Sequence, residues 1–306
     1  MCESILTSNS PPAPIGGAPE GRGAFRSGKY FRTFQYALFL LRVQAFLEAG
    51  LLENRRDMGE VSVMPELAEA EYYRKQWSVS EGRRVERVQL HEEKRVFRGT
   101  DTEALARGLS GARLARSGTC GKLIYFVFGE RHWLGVHLGM TGKLFQERRG
   151  FHRHAHDHLV LRMEEGPDLV FSDPRLFGRV RYAEGESVPD WISGLPPEIL
   201  SSEFTEEKLN RFLDRRSKSP IKAVLLMQER FPGIGNWMAD EVLWRSRIRP
   251  EVAAGGIGPR KRVELYDTLK EVCSDALRVI GTDWSDPPGR APRVVKILRW
   301  FPCRRA

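Results

Sequence analysis

Short apolar runs bounded by turns dominate the middle of the chain. Residues 123–128, 133–138, 159–163, 169–171 and 180–182 are too short for helices and rich in β-branched and aromatic side chains, so they predict strands. Residues 85–90 alternate in part and add another. Gly129-Glu130-Arg131 and Glu164-Glu165-Gly166-Pro167 supply hairpin-type connections. Such a series of short strands predicts a β-sandwich or barrel. Helical stretches frame it. Residues 65–77 predict an opening helix, with Pro65 at its first position and Glu66 and Glu69 complementing its dipole. Residues 102–109 predict a short one. Residues 183–197, with several Gly and Pro, read as a linker; beyond them 205–214, 220–228, 236–245 and 261–280 predict helices. The fold class is α+β: an N-terminal helix and antiparallel β-sandwich, then an all-α domain.

The first 63 residues follow no such pattern. Residues 8–23 are rich in Pro, Gly and Ala and read as disordered. The apolar run 36–41 lies late for a signal peptide and is followed by Arg42. It suits a short amphipathic helix. The reading preferred here is that the stretch is not normally translated: Gly59-Glu60 can be encoded by a purine-rich run that would suit a ribosome-binding site before Met64. The expected division is 1–63 as a disordered or mis-assigned extension, 64–185 as the β-sandwich domain, 186–199 as a linker, 200–283 as the helical domain and 284–306 as a basic tail.

Charge narrows the partner. The 306 residues carry 49 Lys/Arg against 40 Asp/Glu, a formal charge of +9, and nearly all of the excess lies in 64–306. A polyanion is the natural partner. No run reaches ~18 apolar residues, so no membrane span is expected. The four cysteines, Cys2, Cys120, Cys273 and Cys303, are scattered, which shows neither a disulfide framework nor a cysteine zinc site and fits a reducing cytosol.

Five stretches could carry chemistry, each with a plain alternative. Met64-Pro65-Glu66-Leu67-Ala68-Glu69-Ala70-Glu71 is a helix start, or, with Met64 removed, it frees the secondary amine of Pro65 to form an iminium, with Glu66 moving protons. Gly121-Lys122 opens a strand with a cation that is otherwise merely solvated. His137-Leu138-Gly139-Met140-Thr141-Gly142 is a hairpin turn, or presents Met140 as a wedge for a base stack. Asp173-Pro174-Arg175-Leu176-Phe177-Gly178 is a loop whose Arg175 and Phe177 suit phosphate contact and base stacking, unless Phe177 is tucked into the core. Phe231-Pro232-Gly233-Ile234-Gly235-Asn236 puts backbone N–H groups and the Asn236 amide at a helix N-terminus; that is a phosphate site, and Asn236 as helix cap is the plain reading.

In this order the five stretches resemble the formamidopyrimidine-DNA glycosylase and endonuclease VIII superfamily, over roughly residues 64–286. Ala68 stands where the family usually has a second proline, and Leu176 where its loop has a second arginine. The resemblance implies a helix–two-turn–helix domain and a bifunctional DNA glycosylase and AP lyase of base-excision repair. The implied substrate is double-stranded DNA with an oxidised or ring-opened base or an abasic site. Pro65 would be the nucleophile, Glu66 the proton shuttle and Glu69 its support. Lys122 and Asn236 would grip phosphates, and Met140, Arg175 and Phe177 would fill the gap left by the extruded base. The competing reading is an inactive damaged-DNA-binding protein of the same fold, because inside the chain the Pro65 nitrogen is an amide without a free lone pair. The family's four-cysteine zinc hairpin is expected to be absent or degenerate, since only Cys303 lies in the tail. No cofactor is expected for the chemistry. A monomer in a bacterial cytoplasm, associated with the nucleoid, completes the expectation.

Overall fold

A computed structural model describes residues 65–283. The expected extension 1–63, Met64 and the tail 284–306, where the zinc hairpin is expected to be absent or degenerate, lie outside the described residues.

Helix α1 (Leu67–Ser78) comes first. Strand β1 (Val85–Leu90), a 3-10 turn (Arg95–Phe97) and helix α2 (Thr102–Leu109) follow. The strands β2 (Leu114–Cys120), β3 (Leu123–Phe128), β4 (His132–His137), β5 (Lys143–Glu147), β6 (Asp157–Met163), β7 (Asp168–Ser172) and β8 (Arg179–Glu184) complete two four-stranded sheets. Their orders are β1-β6-β7-β5 and β2-β3-β4-β8, and every pairing is antiparallel. The inward residues of both sheets, among them Phe126, Phe128, Leu134, Leu161 and Phe171, share one core, the sandwich expected from the strand pattern.

The sequence reading missed β2 and β5. Both are edge strands, and both carry mostly polar or half-exposed residues. Helix α1 covers them. Trp77 Nε1 donates to Phe145 O at 3.2 Å, Gln146 Nε2 donates to Gln76 O at 2.7 Å, and Arg74 Nη1 donates to Ser117 Oγ at 2.8 Å. Helix α1 is buried on two sides: Ala70 and Trp77 enter the sandwich core, while Leu67 and Ala68 enter the core of the helical half. At about 100° per residue these pairs lie about 120° apart, which is why no single apolar stripe marks the helix.

The helical half contains α3 (Asp190–Ser193), α4 (Glu206–Arg215), α5 (Ile221–Leu225), α6 (Asn236–Arg245), a 3-10 turn (Ala254–Gly256) and α7 (Pro259–Asp283). Two differences from the sequence reading have local causes. The stretch 183–197 is not all linker: β8 runs to Glu184, and α3 lays Trp191 on Gly135, where a Cβ would come within 2.6 Å of the ring. Helix α5 ends at Leu225, not Gln228, because the Gln228 amide organises the turn that follows. Its Nε2 donates to Leu226 O and Ile234 O at 3.0 and 2.7 Å, and its Oε1 accepts from Gly233 N at 3.2 Å. Phe204, Phe212 and Phe231 pack edge to face beneath that turn.

Candidate active site and nucleic-acid interface

Three chain segments meet at the start of α1. Gly233, at φ +91°, turns its carbonyl toward Leu67, whose N–H donates to it at 3.0 Å. Gly121, at φ +59°, lies so close that a Cβ there would sit 2.9 Å from Gly233 N. Two glycines at positive φ thus let the β2–β3 turn and the turn before α6 touch backbone to backbone. Pro65, Glu66 and Lys122 are brought together there.

Glu66 is the N-cap of α1, and its carboxylate closes the N-terminus of α6. Oε2 accepts from Gly235 N at 2.8 Å and Met238 N at 3.1 Å; Oε1 accepts from Trp237 N at 3.0 Å. Glu69 supports it from one turn on: its Oε2 accepts from Glu66 N at 3.2 Å and its Oε1 from Trp237 Nε1 at 3.0 Å. The backbone anion site expected for a phosphate is therefore occupied by a side chain of the same chain. Capping by Asn236 is also corrected: Gly235 is the cap and Asn236 the first helical residue. Asn236 is exposed, and its amide makes no hydrogen bond among the described residues, which leaves it open to an external partner.

Burial sets the electrostatics. Glu66 and Glu69 are 2 and 3 % exposed. Desolvation, with a contribution from Glu69, lifts the Glu66 carboxyl from its usual 4.5 to about 7, against the pull of the Met238 and Trp237 N–H groups and of Lys122. Glu69 is raised by burial too. Lys122 is half-buried, and desolvation lowers its pKa against the opposing charges of Glu66 and Glu69. Pro65 is buried beside them. A carboxyl poised near neutrality can both give and take a proton.

The second group forms around Asp173, which is 0 % exposed. Its Oδ1 accepts from Thr141 Oγ1 at 2.7 Å and Arg175 N at 3.3 Å, and its Oδ2 from Gly178 N at 2.7 Å. One carboxylate thus ties the Met140 turn to the Arg175–Phe177 loop. Gly139, at φ +66°, lets the two backbones meet, since a Cβ there would sit 2.5 Å from Phe177 C. Phe177 is 43 % exposed, which corrects the reading that tucks it into the core. Leu176 does that instead, at φ +59°, packed on the sandwich core. The Arg175 guanidinium lies over the Phe177 ring, 5.0 Å from its centroid. Met140 is half-buried in the neighbouring turn.

His137 links the two groups. Its Nδ1 accepts from Gly139 N at 3.1 Å, which requires the neutral ring at that nitrogen. Burial, helped by Lys122, Arg98 and Arg181, pushes its pKa down to about 4. Sequence reasoning gave no role to His137, Asp173 or Gln228, although all three lie in or beside the motifs it singled out.

Residues 64–180 match the N-terminal domain of formamidopyrimidine-DNA glycosylase, and residues 195–286 match the H2TH domain of the same enzyme. The chain belongs to the formamidopyrimidine-DNA glycosylase family. A formamidopyrimidine-DNA glycosylase of Solibacter usitatus is 33% identical over 231 residues, 74% of this chain and 84% of that one. Another, of Symbiobacterium thermophilum, is 35% identical over 225 residues, 72% of this chain and 73% of that one. Among solved structures, the Lactococcus lactis family member in complex with abasic-site DNA superposes with a TM-score of 0.65 at 28% identity, covering 70% of this chain and 80% of that chain. A mutant of the same Lactococcus lactis enzyme, bound to DNA containing ring-opened guanine (Fapy-dG), gives 0.68 at 27% identity, covering 76% of this chain and 87% of that chain. No helix among the described residues is long and apolar enough to cross a membrane.

Proposed function

We propose that this member of the family is a bifunctional DNA glycosylase and AP lyase acting on oxidised or ring-opened bases, with Pro65 as nucleophile. The observation that carries the reading is Glu66: a buried carboxyl near neutral pKa, next in chain to Pro65 and facing the charge of Lys122. The joint between the two halves needs only an anion there; a pKa near neutrality adds the ability to move a proton, which an inactive binding protein does not need. Once Met64 is removed, the Pro65 nitrogen holds a lone pair and forms a bond to the sugar C1′. The base leaves with the electrons of the glycosidic bond and takes up the proton that the nitrogen, now bonded to C1′, gives up. The C1′–O4′ bond then opens as the nitrogen lone pair forms the iminium, and Glu66 gives a proton to O4′. Loss of a proton from C2′ expels the 3′ phosphate and breaks the strand. Every step moves a proton or an electron pair, so the chemistry needs no redox cofactor.

Lys122 and the Asn236 amide grip phosphates around the lesion, while Met140, Arg175 and Phe177 hold the duplex open where a damaged base is extruded at lower cost. The family's zinc hairpin is proposed to lack its metal site, because the cysteines are only four and widely separated in sequence; elemental analysis giving about one zinc per chain would contradict this. The working form is proposed to be a monomer in a bacterial cytoplasm, on the nucleoid.

The test is strand cleavage. Protein beginning at Pro65 is incubated with duplexes carrying one formamidopyrimidine, one 8-oxoguanine or one abasic site. The proposal expects a break at the lesion. Tight lesion binding with every strand left intact would establish the inactive binder instead.

A further inference from the structure

Three arginines that the proposed reaction does not use stand together beside the site. Arg179 and Arg181 face His137 and Gly135 across the β4–β8 ladder. Val180 between them is buried in the sandwich core, so both arginines project from the opposite, outer face of the sheet. Arg98 reaches the same place from the chain before α2: its Nη1 donates to Gly178 O at 2.8 Å, next to Arg179. The neighbouring Gly99 lies against Arg179, whose Nη2 would be 3.5 Å from a Cβ there.

None of the three has an ion-pair partner among the described residues. Arg179 Nε is buried with no hydrogen-bond partner. The acids nearby are engaged elsewhere, Asp173 by Thr141, Arg175 and Gly178, and Glu184 by Arg131 at 3.9 Å. The arginines press on one another: burial first, then Arg179, hold Arg98 and Arg181 below the usual guanidinium range, with Arg95 adding to the effect on Arg98 and Arg98 to that on Arg181. With Lys122, Arg98 and Arg181 act on a neutral His137, which Arg179 faces across the ladder. Like charges gathered without a counter-charge are unfavourable until an anion arrives, and guanidinium forks match phosphate oxygens in pairs.

We propose that Arg98, Arg179 and Arg181 form a second phosphate site, which takes a phosphodiester of the DNA strand beyond the one held by Lys122 and extends the interface along the outer face of the β2-β3-β4-β8 sheet. The inference rests on the DNA-binding part of the proposed function. Arg98 also braces Gly178, so the informative changes are on β8.

The experiment compares the full chain with Arg179→Gln/Arg181→Gln and with Arg179→Lys/Arg181→Lys, on plain and abasic duplexes over a salt series. The Gln pair should weaken binding to both duplexes by the same factor, about tenfold, and flatten the slope of log K against log salt by about one. The Lys pair should restore the slope, and thermal melts should show all three folded. A second arm adds inorganic phosphate at constant ionic strength. If phosphate competes with DNA on the parent but not on the Gln pair, the ion and the strand share the site as proposed; if the Gln pair loses phosphate binding while its DNA binding is unchanged, the site takes the free ion alone and the strand assignment is overturned. An unchanged slope in the Gln pair, with the parent binding DNA, overturns the second site alone. A parent that binds neither duplex overturns the DNA reading as well.

Discussion

Glu66 Oε2 accepts a hydrogen bond from Gly235 N at 2.8 Å, joining residues 169 positions apart. The carboxyl proposed to shuttle protons is therefore also the anion that closes the N-terminus of α6. Its three N–H donors belong to the helical half, while Glu66 itself opens the helix that covers both sheet edges. Chemistry and the joint between the two halves rest on one side chain.

Gly235 leaves room for that carboxyl. It is extended (φ −126°, ψ −159°), so alanine meets no backbone strain, but a Cβ would lie 2.2 Å from Glu66 Cδ and Oε1. Gly235→Ala should displace the carboxylate and lose at least one of its hydrogen bonds, about 1–3 kcal/mol. Single-turnover strand cleavage should fall about ten- to a hundredfold, with duplex affinity kept within about threefold. Unchanged cleavage would separate Glu66 from the chemistry.

The pH profile follows from the same group. Glu66 titrates at about 7, so its protonated form, the donor to O4′, declines as pH rises through neutrality. Strand cleavage by protein beginning at Pro65 should fall above about pH 7, and Glu66→Gln should cleave slowly at every pH. A profile without a bend between pH 6 and 8, on the order of one unit either side of neutrality, would contradict the assignment.

His137 makes a claim about stability. Its folded pKa is depressed from 6.5 to about 4, so the unfolded chain takes up a proton first as pH falls. The stability it contributes is present above pH 6.5 and is lost as pH drops toward 4, amounting to about 1–3 kcal/mol. His137→Asn can still accept from Gly139 N through its carbonyl. Urea unfolding of this variant should lose less stability than the parent between pH 7 and 4.

Phe177 and Leu176 should behave oppositely although adjacent. Leu176→Ala removes a side chain packed on the core and should cost about 1–3 kcal/mol of stability. Phe177→Ala removes an exposed ring and should leave stability within about 0.5 kcal/mol. It should weaken binding to abasic duplex more than to plain duplex, as read by competition titrations. Equal losses on both duplexes would make Phe177 a general contact rather than a wedge.

Legibility in the sequence followed burial and locality. Leu123–Phe128 and Val85–Leu90 form strands with the expected bounds, and Asn236–Arg245 the expected helix. The edge strands β2 and β5 stayed hidden because few of their side chains are fully buried and a helix covers them. Each site motif was legible because it is short and bounded by Gly or Pro. What fills the N-terminus of α6 was not: the donors and Glu66 lie in different halves, and Asn236 offered a nearer cap. The arginine cluster needed the β4–β8 register and the approach of Arg98, neither of which a linear pattern contains.

The central claim is that Pro65 is the nucleophile, and borohydride trapping on abasic-site DNA tests it most directly. Reduction converts an iminium into a stable amine, so protein beginning at Pro65 should form a covalent adduct whose DNA-bearing residue, by peptide mapping, is Pro65. The chain extended by residues 1–64 should form none, because its Pro65 nitrogen is an amide. Equal trapping by the extended chain, at a lysine for example, would contradict the assignment and the mechanism built on it.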